Sequence, residues 1–164
     1  MKDWKVPLTD EGREQAKKVG LELGYLFNPL ILYSPYDRAK ETAEIINNQY
    51  LKSPFIFECP MIKERSWGDL REEVTQKTGK ERKELFDFFH RPNGGESFFD
   101  AYQRAFIFFE YLKKEYSDTN DIIIVSHGEF LKVLLMIIDK KTVEEFDNLP
   151  NIKNCEIHKR TIYV

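Results

Sequence analysis

Residues 121–130 read DIIIVSHGEF. Ile122 to Val125 form a short, unbroken apolar run, three of its residues isoleucine, which predicts a fully buried strand of a parallel sheet. Ser126-His127-Gly128 follow at once, and Glu129 to Asp139 carry the pattern of a buried helix. A buried strand that runs straight into a helix start is the unit of a layered α/β fold. Ligands of such sheets bind beyond the carboxyl ends of the strands, and helix N-termini there favour anions. His127 stands at that junction. An isolated histidine would more often be just hydrogen-bonded at a strand end; the Ser-His-Gly setting, with Gly128 allowing close backbone approach, favours a functional role.

Working outward, the apolar period alternates between helix-like and strand-like along the chain. A first helix is predicted from Asp10 to about Phe27, with Thr9 as its N-cap and Ala16, Val19, Gly20, Leu23 and Phe27 on one face. Leu30 to Tyr33 (LILY) reads as a short buried strand. Ser34 and Pro35 read as the N-cap and first position of the next helix. Phe55 to Glu58 is a further strand, followed by the loop CPMIKERSWGDL. Glu72 to Phe89 is expected to be mostly helical with a break at Gly79. HRPNGGES is a loop by its proline and paired glycines. A long helix spans Ser97 to Tyr116, with Phe98, Tyr102, Ala105, Phe106, Phe109, Leu112 and Tyr116 as its core face. Thr142 to Leu149 is a short helix, and IHKRTIYV a closing strand. The expected architecture is a single α/β domain over residues 1–164: a three-layer sandwich with a mostly parallel sheet and helices on both faces.

The gross composition narrows the function. The chain has 164 residues, 41% hydrophobic and 32% charged, with a net charge of −3. That describes a globular domain large enough for a core. The charge argues against nucleic acid as a partner. No stretch is long and apolar enough for a membrane span, and the N-terminus lacks an apolar signal core. Two cysteines, Cys59 and Cys155, are too few for a disulfide framework and suggest a reducing, cytoplasmic setting, although a single pairing stays open.

Two further residues are candidates beside His127. Arg38 lies one turn into the helix after LILY. Helical side chains lean toward the N-terminus, so its guanidinium can reach the end of that strand and bind an anion in bidentate fashion. A surface pair with Glu41 or Asp37 reads equally well. Glu64 stands in a loop near Met61 and Trp67, whose apolar surroundings could raise its proton affinity. Its local sequence favours a plain salt bridge with Arg65 or Lys63. Arg91 to Ser97 (RPNGGES) could offer backbone N–H groups to an anion, but more often such a stretch is a turn with a helix cap, supplied by Glu96 or Ser97. No metal-ligand spacing and no phosphate-binding glycine loop of the nucleotide type is present.

Taken together, VPLTDEGREQA, LYSPYDRAKETAEII, IKERSWGDL, RPNGGESFFDAYQR and IIIVSHGEFLKVLL resemble, in order, motifs of the histidine phosphatase superfamily, the phosphoglycerate mutase-like proteins. The resemblance implies phosphoryl transfer through a phosphohistidine. It makes Arg38 a phosphate-binding arginine, His127 a second, phosphate-holding histidine and Glu64 the proton donor to the leaving oxygen. It implies a small phosphorylated metabolite or phosphate as ligand, no membrane or nucleic-acid partner, and no cofactor or metal. Within that family a compact chain without a long insertion suggests a phosphatase rather than a mutase.

The chain departs from the pattern at one place. The family takes its nucleophile from an Arg-His-Gly on a first, central strand, and no Arg-His-Gly occurs here. His90-Arg91 has the reverse order in a different loop, and His158 lies in the closing segment. The sequence therefore reads as a truncated member, inactive as written, with a phosphate-binding pseudoenzyme or a mutase-type phosphotransferase as the other readings. A central strand buries about four apolar side chains, on the order of 10 kcal/mol in all, against a whole-domain stability of about 5–15 kcal/mol. The chain is thus expected to be marginal unless something fills the gap.

Overall fold

The structure, a computed structural model, describes residues 3–70, 74, 76, 78, 80 and 84–162. Eight of the 18 residues of the helix expected over Glu72 to Phe89, Gly79 among them, lie outside these, and residues 85–89 are turn and bend rather than helix. Three strands form one parallel sheet: β1 (Leu30–Tyr33), β2 (Ile56–Glu58) and β3 (Ile122–Val125), in the order β2-β1-β3. Ile31 pairs with Ile56 on one side and Ile123 on the other. Among the elements whose bounds the described residues give, the α-helices α1 (Asp10–Leu23), α2 (Asp37–Ile46), α3 (Phe98–Glu115) and α4 (Gly128–Ile138) flank them.

The strand period of two sorts the sheet's side chains into two cores. Leu30, Leu32, Ile122 and Ile124 face α3 and α4, where Ala101, Ala105, Phe108, Phe130 and Val133 are buried. Ile31, Tyr33, Ile123 and Val125 face the other way, against Val19 and Leu23 of α1 and Ala43 and Ile46 of α2. The fold is therefore the expected three-layer α/β sandwich.

Several helix ends follow from local chemistry. The Thr9 hydroxyl accepts the Gly12 N–H at 3.1 Å and starts α1. Ser97 and Asp100 form a reciprocal capping box at the start of α3. α1 stops at Leu23, and the chain has left the helix before Phe27, which is 87% exposed instead of buried. In α3 the core face runs 98–101–105–108–112. Phe106 falls about 100° beyond Ala105 around the axis and is 47% exposed.

Three expectations are corrected. Ser34 does not cap α2: that helix starts at Asp37, with Tyr36 at the cap position and no side-chain cap bond. The Ser34 hydroxyl is used elsewhere, as described below. β3 is not fully buried; all four residues are half-buried, because among the described residues β3 is an edge strand with a neighbour on one side only. The closing segment forms no strand over residues 157–162. Ile157 packs on the α1/α2 core and Arg160 makes a bidentate pair with Asp139 at 2.6 and 2.7 Å, so side chains rather than a sheet ladder hold it. Cys59 and Cys155 are both free thiols.

Candidate active site

β1 and β3 are neighbours in register, so their carboxyl ends deliver Ser34 and Ser126-His127 side by side. The Ser34 N–H donates to the Val125 carbonyl at 2.9 Å. The His127 imidazole is buried, and its Nε2 lies 2.7 Å from the Ser34 hydroxyl oxygen. The Tyr36 ring leans on the imidazole with centroids 4.9 Å apart. The Arg38 guanidinium lies 5.0 Å from the centroid of that same Tyr36 ring. Ser34 and Tyr36, in the turn between β1 and α2, and Arg38, in the first turn of α2, thus form one continuous contact chain with His127. Burial, and next the positive charges of Arg38 and Arg104, hold His127 neutral, with its pKa down at about 3.

The loop after β2 that carries Glu64, the candidate acid loop, closes the other side. The Ser126 hydroxyl donates to the Ile62 carbonyl at 2.7 Å. The Glu64 carboxylate accepts the backbone N–H of Arg65 at 3.0 Å and that of Phe130 at 3.1 Å. Phe130 is in the first turn of α4, whose cap position, His127, contributes no side-chain bond. Glu64 therefore caps α4 from outside the helix, where the dipole favours a negative charge. Burial nevertheless pushes its carboxyl above the usual range; repulsion from Glu129 adds to this, while the backbone N–H bonds oppose it. A carboxyl in that state is suited to carrying a proton near neutral pH.

Two of the alternative partners, Arg65 and Glu41, are engaged elsewhere. Arg65 does not pair with Glu64: its buried guanidinium donates to Glu129 at 2.9 and 3.2 Å and to the Glu96 carbonyl at 2.9 Å. Glu41 accepts the Leu8 N–H at 3.1 Å and the Arg13 guanidinium at 2.6 Å, tying α1 to α2. RPNGGES is a brace. The Gly95 N–H bonds the Pro92 carbonyl, and the Glu96 N–H bonds the Ser66 carbonyl. Gly68 meets this loop so closely, with φ at +50°, that a Cβ there would sit 2.1 Å from the Asn93 carbonyl oxygen. Arg91 pairs with Asp100, and His158 lies 3.5 Å from Glu156.

Residues 3–163 match the family model described as histidine phosphatase superfamily (branch 1). The chain belongs to the histidine phosphatase superfamily. It is 32% identical over 179 residues to a phosphoglycerate mutase-like protein of Arabidopsis thaliana, covering 94% of this chain and 63% of that protein. It is 31% identical over 147 residues to a 2,3-bisphosphoglycerate-dependent phosphoglycerate mutase of Cytophaga hutchinsonii, covering 85% of this chain and 69% of the mutase. The chain spans 56% to 63% of the lengths of the two Arabidopsis proteins it matches. A mycobacterial glucosyl-3-phosphoglycerate phosphatase, solved with VO3, shares the fold with a TM-score of 0.81 at 21% identity, over 92% of this chain and 77% of that one.

In this superfamily member the structure brings Arg38, His127 and Glu64 to one end of the sheet. The sequence reading missed Ser34 and Tyr36 as members of the site. Ser34 carried the signal of a helix cap, and a cap hydroxyl and a site hydroxyl look alike in sequence. It also missed Arg104, whose guanidinium donates to the Met61 and Lys63 carbonyls at 2.8 Å each and to Glu96 at 2.9 Å, holding the acid loop. Its only signal was a cation nearly two turns along a helix otherwise lined with aromatics. Among the described residues no three His, Cys, Asp or Glu side chains converge so as to hold a metal ion.

Proposed function

We propose that this chain is the phosphate-handling part of a phosphomonoester phosphatase. Arg38 and His127 hold the phosphoryl oxygens, and Glu64 gives its proton to the leaving oxygen as the ester P–O bond breaks. The observation that carries this reading is the contact chain from Arg38 through Tyr36 to His127, with Glu64 seated on the helix that His127 begins. A guanidinium, a neutral imidazole and a carboxyl of raised proton affinity suit phosphoester cleavage around its anion.

We take the acceptor of the phosphoryl group to be none of His90, His127 and His158. We place it on an Arg-His-Gly strand outside residues 1–164 that docks on the open edge of β3, beside His127. The half-burial of Ile122 to Val125 and the unpaired closing segment both fit a sheet with room for that strand. The chain by itself then binds phosphate and turns over no ester. The lack of an acceptor histidine also favours a second reading, in which the site serves binding alone. Phosphatase is preferred to mutase, although relatives carry mutase names, because no long insertion is present to enclose a transferred phosphate. Two free thiols suit a reducing, cytoplasmic setting. Among the described residues no helix is long and apolar enough to cross a membrane.

Phosphate titration followed by thermal melting tests the site. Phosphate at ten times its Kd should stabilise the chain by about 1.4 kcal/mol, and Arg38→Ala should abolish the effect. A wild-type chain indifferent to phosphate and to vanadate would rule the site out. Hydrolysis of p-nitrophenyl phosphate by the purified chain would show that the acceptor lies within it.

A further inference from the structure

We infer that the Ser34 hydroxyl sets the tautomer of His127, donating to Nε2 so that the imidazole proton sits on Nδ1. The functional use of that proton rests on the phosphate reading above; the tautomer itself does not. Ser34 is fully buried, and its oxygen lies 2.7 Å from Nε2. The two groups come from adjacent strand ends locked by the Ser34 N–H to Val125 carbonyl bond, so neither can drift from the other. The Tyr36 N–H points at the same hydroxyl oxygen from 3.4 Å.

A serine hydroxyl has one hydrogen to give and two lone pairs. With the Tyr36 N–H directed at a lone pair, and no other acceptor for this hydroxyl among the described residues, its hydrogen goes to Nε2. A neutral imidazole carries one proton, which is then on Nδ1. His127 makes no other side-chain hydrogen bond among the described residues, so Nδ1–H is the donor left for an anion. The imidazole is held neutral by burial and then by Arg38 and Arg104, and can bind a phosphoryl oxygen without first taking a proton from solvent. Should a bound dianion draw a proton onto Nε2, the same hydroxyl can turn and accept from it. Serine serves both states, which alanine cannot. Ser34 is thus a positioning residue, acting on phosphate through His127.

The test is a long-range 1H–15N correlation spectrum of the histidine rings at pH 7, with His127→Asn used to assign His127 among the three. The expected wild-type pattern is a bare Nε2 and a protonated Nδ1. Ser34→Ala should shift or average that pattern and weaken phosphate binding about five- to tenfold. Ser34→Thr, which keeps the hydroxyl, should retain both. A proton on Nε2 in the wild-type chain, or a Ser34→Ala spectrum identical to wild type, overturns the inference. The spectrum is read without phosphate, so it decides the tautomer whether or not the chain binds anions, while the Arg38→Ala melting experiment decides the binding site.

Discussion

β1 and β3 are near twins in sequence, LILY and IIIV, and they end side by side at the same site. Leu30, Ile31 and Leu32 are at most 5% exposed, whereas all four residues of β3 are half-buried. β-branching and hydrophobicity would rank β3 as the more buried of the two. The difference lies in neighbours: β1 has a strand on each side, β3 on one. Burial of a strand is a property of its place in the sheet, and composition reports only what the strand can tolerate.

The largest effect expected from this comparison is at Ile31, which has no exposure. Ile31→Ala should cost about 2–5 kcal/mol in urea unfolding. Ile124→Ala, on the half-buried strand, should cost clearly less. Equal losses at the two positions would break the comparison.

Next comes pH, because β3 ends in a buried neutral histidine. The folded-state pKa of His127, about 3, lies below its ordinary value of 6.5. The unfolded chain therefore binds the extra proton first. Stability at this group is full above pH 6.5 and falls as pH drops from 6.5 toward 3, by up to ~1.4 kcal/mol per pH unit. Glu64 works in the opposite sense. Its folded pKa is raised, so its contribution is full below about 4.5 and declines as pH rises through the folded value. His127→Asn should flatten the fall below pH 6.5; an unchanged slope would mean that another group causes it.

The smallest effect separates two faces of β3 itself. The carbonyls of Asp121 and Val125 accept from β1, so residues 121, 123 and 125 turn their backbone groups inward and 122 and 124 turn theirs to the open edge. The amides of Ile122 and Ile124 should exchange with solvent faster than those of Ile123 and Val125. A longer chain that supplies a strand to this edge should slow them, and uniform protection in the present chain would show the edge already covered.

Much of the fold was legible because local patterns were strong. The capping chemistry of Thr9 and Ser97, the period-two strands and the order of five motifs led to the sandwich and its family. Boundaries failed where the chain left an element early, as at Phe27, or where a helix face was off by one residue, as at Phe106. Of the site, Arg38, Glu64 and His127 were readable as residue types at strand ends and loops. Their partners were not. Nothing near Glu64 says that its carboxylate caps a helix 66 residues further on, and nothing near Arg65 says that it spans 64 residues to Glu129.

By itself the sequence determined the layered α/β class, the family and the side chains that are candidates to carry charge and protons at this site, because those depend on patterns a few residues long. Only the tertiary structure decided who meets whom: Ser34 with His127 rather than its own helix, Arg65 with Glu129 rather than Glu64, and RPNGGES as a brace rather than an anion cradle. A buried polar group must find a partner wherever the packing allows one, and that partner is chosen by distance in space.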